Sequence, residues 1–171
     1  GGTISGAATT TFENDVVISG ANTKTIVGGR TIALNGTTTW SGNTANNNNA
    51  IRFWNGATIN NNGTFNDENQ SASFIEHNVG GPHNFNNNGT YNKKSNTLTT
   101  VDLGVVFNNA GTLNIDAGTM LFSSGTQGPA GTVRVAIASV RSAWAASASL
   151  RREMSARRSS PSGTTFPSSH R

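Results

Sequence analysis

The chain has no cysteine, only four prolines and a single tyrosine, and 12% of its 171 residues are charged, against a usual quarter or so for a soluble domain. Without cysteine there is no disulfide framework and no cysteine-based zinc site. No apolar run approaches the ~18 residues that a membrane-crossing helix needs, and no stretch has the layout of a signal peptide. The sequence opens at Gly1-Gly2, already in strand-like residues, so it is expected to be an excerpt of a longer chain. In place of charge and bulk there is a narrow polar alphabet: 24 Asn, 23 Thr and 20 Gly occupy 67 of 171 positions.

A net charge of +4 and a pI near 10.4 suggest a polyanion partner, but the charge is unevenly distributed. Residues 1–132 hold five basic and seven acidic side chains, a net of −2, whereas residues 133–171 hold seven arginines against Glu153 alone. The body is mildly acidic, so no specific nucleic-acid binding is expected of it. Composition shifts at the same place: the last Asn is Asn114, and 24 of the final 39 residues are Ser, Ala or Arg.

The body repeats. Asn61-Asn62-Gly63-Thr64-Phe65-Asn66 returns as Asn87-Asn88-Gly89-Thr90-Tyr91-Asn92 and Asn109-Ala110-Gly111-Thr112-Leu113-Asn114, with a decayed copy ending Gly131-Thr132-Val133 and an earlier one at Asn35-Gly36-Thr37. The glycines step by 27, 26, 22 and 20 residues, the range of stacked solenoids. Asn-Asn-Gly reads as a corner whose residues tolerate positive φ. Beyond it the chain alternates with period two, Thr64 out, Phe65 in, Asn66 out, as a strand with one buried face does. Further strands are expected at Val16–Ile18, Lys24–Ile26, Arg30–Leu34, Ser73–Ile75, Thr97–Val101, Val105–Phe107 and Thr119–Phe122.

Two or three strands per turn between Gly/Asn/Ser corners fit a coil of a parallel β-helix. Stacked coils lie ~4.8 Å apart, so each position forms a column. Inward columns call for apolar residues, outward ones for uncharged β-formers such as Thr, because stacked like charges repel. Asn at a corner can hydrogen-bond in ladders. The competing reading is an Asn-rich disordered spacer, against which Phe65, Tyr91 and Leu113 return at matching places.

The runs Gly29–Gly42, Asn55–Phe65, Phe85–Lys93 and Phe107–Ile115 resemble the repeats of filamentous-haemagglutinin-like and autotransporter-passenger bacterial surface proteins. The resemblance covers residues 1–132. It implies an all-β, right-handed parallel β-helix of about 20–27 residues per coil, an extracellular or outer-surface location, flanking coils in the same parent chain, and adhesion to host or matrix glycans and proteins. It brings no catalytic residue and no cofactor.

The second segment, 133–171, is expected to stand outside the solenoid as a disordered or partly helical basic tail. Its Arg/Ser/Ala/Pro mixture is what a high-GC gene yields out of frame, so a lost reading frame near residues 132–135 is the expected origin. The alternatives are a basic amphipathic helix over Ala143–Arg158 and a natural Arg/Ser tail with non-specific affinity for polyanions.

Parallel β-helices also carry polysaccharide lyases and hydrolases, which need acids clustered on one face. The densest charge is Asp67, Glu68, Glu76, His77 and His83, read as a solvated, ligand-presenting loop from Asp67 to Pro82. Adjacent acids on a strand face opposite ways, and two histidines six residues apart without a third ligand make weak metal spacing. No metal site and no catalytic site is therefore expected. Trp40 and Trp54 suit the coil interior better than sugar stacking. The T-x-T pairs Thr37/Thr39 and Thr97/Thr99 raise an ice-binding face, for which they recur too irregularly. The function expected is a structural and adhesive rod. A non-catalytic part of a polysaccharide lyase or hydrolase and a passive spacer are the alternatives.

Overall fold

In a computed structural model, residues 1–43, 49–123, 125–127 and 131–135 are described. They form eighteen short strands in six coils of three. The first coil holds β1 (Gly2–Ile4), β2 (Thr9–Phe12) and β3 (Val16–Ile18); the second β4 (Lys24–Ile26), β5 (Thr31–Leu34) and β6 (Thr37–Trp40). The third holds β7 (Ala50–Phe53), β8 (Thr58–Asn61) and β9 (Thr64–Asp67); the fourth β10 (Ser73–His77), β11 (His83–Asn87) and β12 (Thr90–Lys93). The fifth holds β13 (Leu98–Val101), β14 (Val105–Asn109) and β15 (Thr112–Ile115); the last β16 (Thr119–Phe122), β17 (Gly125–Gln127) and β18 (Thr132–Val135).

Every third strand pairs in parallel. The first sheet runs β1-β4-β7-β10-β13-β16, the second β2-β5-β8-β11-β14-β17 and the third β3-β6-β9-β12-β15-β18. The fold is a parallel β-solenoid with no helix among the described residues. Thr37, Thr64, Thr90, Thr112 and Thr132 share one column of the third sheet, so the glycine steps read from the repeats are coil lengths. The ladder includes Val133, Arg134 and Val135, paired with Leu113, Asn114 and Ile115. The boundary drawn after residue 132 thus falls inside β18. Residues 136–171, and with them the proposed helix over Ala143–Arg158, lie outside the described residues.

Period-two alternation turns one row of each strand inward. Phe65 and Tyr91 stack with ring centroids 5.1 Å apart and planes 12° apart, and Phe85 and Phe107 do the same at 5.2 Å and 12°. The two stacks meet edge-on, Phe65 against Phe85 at 5.4 Å. Offset and edge-to-face contacts are the favourable geometries for such rings. Trp40 is fully buried above Phe65 as a plug, whereas Trp54 is half-buried beyond the end of β7.

The corner glycines have a different cause from the one their sequence suggests. Gly63, Gly89 and Gly111 do not adopt positive φ. A Cβ on Gly89 would lie 2.0 Å from the carbonyl oxygen of Gly63 one coil below, and on Gly111 2.0 Å from that of Gly89. The same carbonyls accept hydrogen bonds from the Thr90 and Thr112 amides at 2.9 and 2.8 Å. A tight coil-to-coil approach therefore requires glycine there. Positive φ occurs instead at other corners, as at Gly28, Gly29 and the Asn55-Gly56 pair.

Asparagine fills four kinds of column. At the corner between the second and third sheets, Asn88 donates to Asn62 and Asn62 to Asn35, each at 2.9 Å, as the corner ladders predict. Two ladders stand on the outward faces, Asn108 to Asn86 to Asn60 and Asn114 to Asn92 to Asn66. The fourth is inside: buried Asn61 donates to Asn87 and Asn87 to Asn109, both at 2.7 Å. Each inner amide also reaches a third-sheet carbonyl of the next coil, Asn61 that of Thr90 at 3.0 Å and Asn87 that of Thr112 at 2.9 Å. Neutral amides can be stacked indefinitely without repulsion; Asn87 is bonded through both its amide nitrogen and its oxygen, whereas Asn61 Oδ1, at the start of the ladder, is buried without a hydrogen-bond partner.

Candidate functional site

The sequence's densest charge does not form one loop. Asp67 closes β9, Glu76 lies in β10 and His83 opens β11; the exposed run is His77–Pro82. Expecting a solvated loop from Asp67 is thus corrected. The alternation that sends Phe65 inward sends Asp67 inward too, and its side chain is fully buried. Lys93, its partner one coil on, is equally buried, and its Nζ stands 3.9 Å from Asp67 Oδ2.

A shell of hydroxyls and amides surrounds this pair. Thr99 Oγ1 donates to Asp67 Oδ2 at 2.5 Å and the Tyr91 hydroxyl donates to the same oxygen at 3.2 Å, while Asn69 Nδ2 donates to Oδ1 at 2.8 Å. Lys93 Nζ donates to the Ser95 carbonyl at 2.9 Å, to Ser95 Oγ at 2.5 Å and to Thr97 Oγ1 at 3.1 Å. Thr97 in turn donates to the Asn69 carbonyl, and Asn49 Nδ2 donates to Asn69 Oδ1 at 2.7 Å. Burial pulls the Lys93 pKa below the usual ammonium value, with Asp67 opposing. Burial and Asp67 together push the Tyr91 hydroxyl well above the usual phenol value. A pair so enclosed offers no path to solvent. Its chemistry is to hold coils three, four and five in register.

This cluster also relocates a candidate motif. Thr99 is buried and Thr97 faces Lys93, so the Thr97/Thr99 pair belongs to the interior. Thr37 and Thr39 do lie on the outer face of β6.

The remaining charged residues are separated. Glu68 points outward and meets Lys94 of the next coil at 3.3 Å. Arg52 and Glu76 stack on the first sheet at 2.6 Å, with Glu76 nearly covered. His83 is buried beside Phe53, centroids 5.9 Å apart, and beside exposed His77 at 5.8 Å. The ring nitrogens of His83 make no well-formed hydrogen bond. Burial, then the neighbouring His77, lower its pKa below the usual imidazole value, against the Gly80 backbone, which raises it. Among the described residues no three His, Asp or Glu side chains gather as metal ligands, and no helix is long and apolar enough to cross a membrane.

The sequence reading missed the Asp67–Lys93 pair and the inner Asn ladder. The signal for both was period-two counting from Phe65 and Tyr91, and from Phe85 and Phe107.

No protein-family model, curated protein or solved structure matches this chain.

Proposed function

We propose that this chain is a structural and adhesive segment of a large, secreted or cell-surface bacterial repeat protein, a non-catalytic rod that presents short projections to host or matrix glycans and proteins. The observation that carries this reading is the unbroken pairing of all three sheets across six coils. Such a stack gains a similar increment from every coil and extends along one axis. The exposed run His77–Pro82, which joins β10 to β11, is the projection assigned to ligand contact.

The reading is tested by raising antibodies to residues 1–132 and applying them to intact source cells. Labelling without permeabilisation, together with blocked attachment to a matrix-coated surface, supports it. Signal that appears only after lysis overturns it.

A further inference from the structure

The outward face of the third sheet carries a lattice of largely half-exposed side chains, of which Asn66 is nearly covered. Thr37, Thr64, Thr90, Thr112 and Thr132 form its first outward column, and Thr39, Asn66, Asn92 and Asn114 the second, which Arg134 ends. Within a column, neighbours are ~4.8 Å apart, and the columns are about 6.7 Å apart, because outward side chains recur every second residue of a strand. The pairing is Gly-Thr-x-Asn in three successive coils, from Gly63, Gly89 and Gly111. The T-x-T pattern sought in the sequence is thus one member of a regular array, with Asn in the second place.

From β6 to β15 that face carries no ionisable side chain. Asp67 and Lys93 point inward, and the charges that flank the face, Glu68 paired with Lys94 and exposed Asp116 one coil on, lie beyond the strand ends. Trp40, Phe65 and Tyr91 are all turned to the interior. The Asn66, Asn92 and Asn114 amides are locked to one another at 2.8–2.9 Å, so the second column is held at a fixed spacing.

We infer that the outward face of β6, β9, β12 and β15 binds ice. A neutral, rigid array of hydroxyls and amides complements a neutral lattice of water donors and acceptors. Its two repeats lie close to the two repeat distances of oxygen atoms on the prism faces of hexagonal ice. A surface already fixed in this way orders water at little further entropic cost. A polyanion would need cations here, and a sugar chain would need exposed aromatic faces for stacking; the face has neither. The other two faces lack the regularity. The second sheet interrupts its columns with Ala33 and Val106, and the first with Phe74, Arg52 and Glu76.

The test uses the full chain, fluorescently labelled at its N-terminus, in two assays: partition into slowly growing ice and inhibition of ice recrystallisation. Thr90→Tyr and Thr112→Tyr place bulk on the proposed face, and Thr100→Tyr places the same bulk on the outer face of the first sheet. Far-UV circular dichroism and melting select the folded variants, and either third-sheet variant suffices. Wild type and Thr100→Tyr are expected to enter ice and arrest recrystallisation, and the third-sheet variants to lose both. Exclusion of folded wild-type protein from ice overturns the inference, as does equal loss in Thr100→Tyr or retention in the third-sheet variants. Self-association or glycan binding that Thr90→Tyr abolishes, without ice uptake by wild type, would assign the face to another occupant and likewise overturn it.

Discussion

Asp67 and Lys93 stand directly above one another inside the solenoid, 3.9 Å apart and both fully buried. Column neighbours on either side are Trp40 and Ile115, so the pair interrupts an apolar row. Removing one member strands the other. Asp67→Leu is expected to cost about 3–5 kcal/mol, with most of the loss recovered in the double variant Asp67→Leu/Lys93→Met. Urea midpoints of the four proteins in the double-mutant cycle measure this. Additive losses would show that the two side chains do not act as a pair.

The corner glycines make a sharper steric prediction. Gly89→Ala drives a methyl into the Gly63 carbonyl and should cost about 3 kcal/mol or more, at the upper end of overpacking effects. At Gly2 an added Cβ meets nothing within 4 Å, and Gly2→Ala should stay within about 0.5 kcal/mol of wild type. Thermal denaturation of both variants is the check, and equal melting temperatures would refute the close-approach explanation.

Asparagines in neighbouring positions should differ sharply. Asn87→Ala removes a donor to Asn109 and to the Thr112 carbonyl and an acceptor for Asn61. Leaving such groups unpaired in the interior costs about 1–3 kcal/mol each. Asn88 is exposed and its ladder partner can turn to water, so Asn88→Ala should lose less than about 1 kcal/mol. Chemical denaturation compares them.

His83 gives the fold an acid sensitivity. Its folded pKa lies below the ordinary 6.5, so below 6.5 the unfolded chain takes up a proton that the folded chain refuses. Stability from this group is present above that pH and is lost as the pH falls through 6.5 toward the folded value. His83→Phe, which keeps a ring beside Phe53, should flatten the melting temperature against pH in that window. An unchanged profile would remove His83 as the cause.

The coil plan was legible because the third-sheet repeat is written in adjacent residues: glycine spacing, a threonine, then alternation. β3, β4 and β16 begin and end at the residues expected from their β-forming side chains. The polar interior was not legible in the same way. A charged residue is ordinarily solvent-facing, and that expectation outweighed the period-two count that places Asp67 and Lys93 inside. Glycine misled for a related reason. Its sequence context indicates a corner but does not separate positive φ from a crowded carbonyl one coil away, because the crowding atom is more than twenty residues distant. The outward Thr/Asn lattice was hidden by a search for T-x-T, when three coils write it T-x-N.

Because the chain lacks cysteine, the stacking can be measured by paired cysteine substitution on the outer face of the third sheet. Thr64 and Thr90 are column neighbours one coil apart, and Thr112 is one coil further. A spacing of ~4.8 Å lies within disulfide range and twice that spacing does not. Mild oxidation should give an intramolecular disulfide in the Thr64→Cys/Thr90→Cys protein and none in Thr64→Cys/Thr112→Cys. Efficient closure of the second pair, or failure of the first, would contradict the six-coil solenoid.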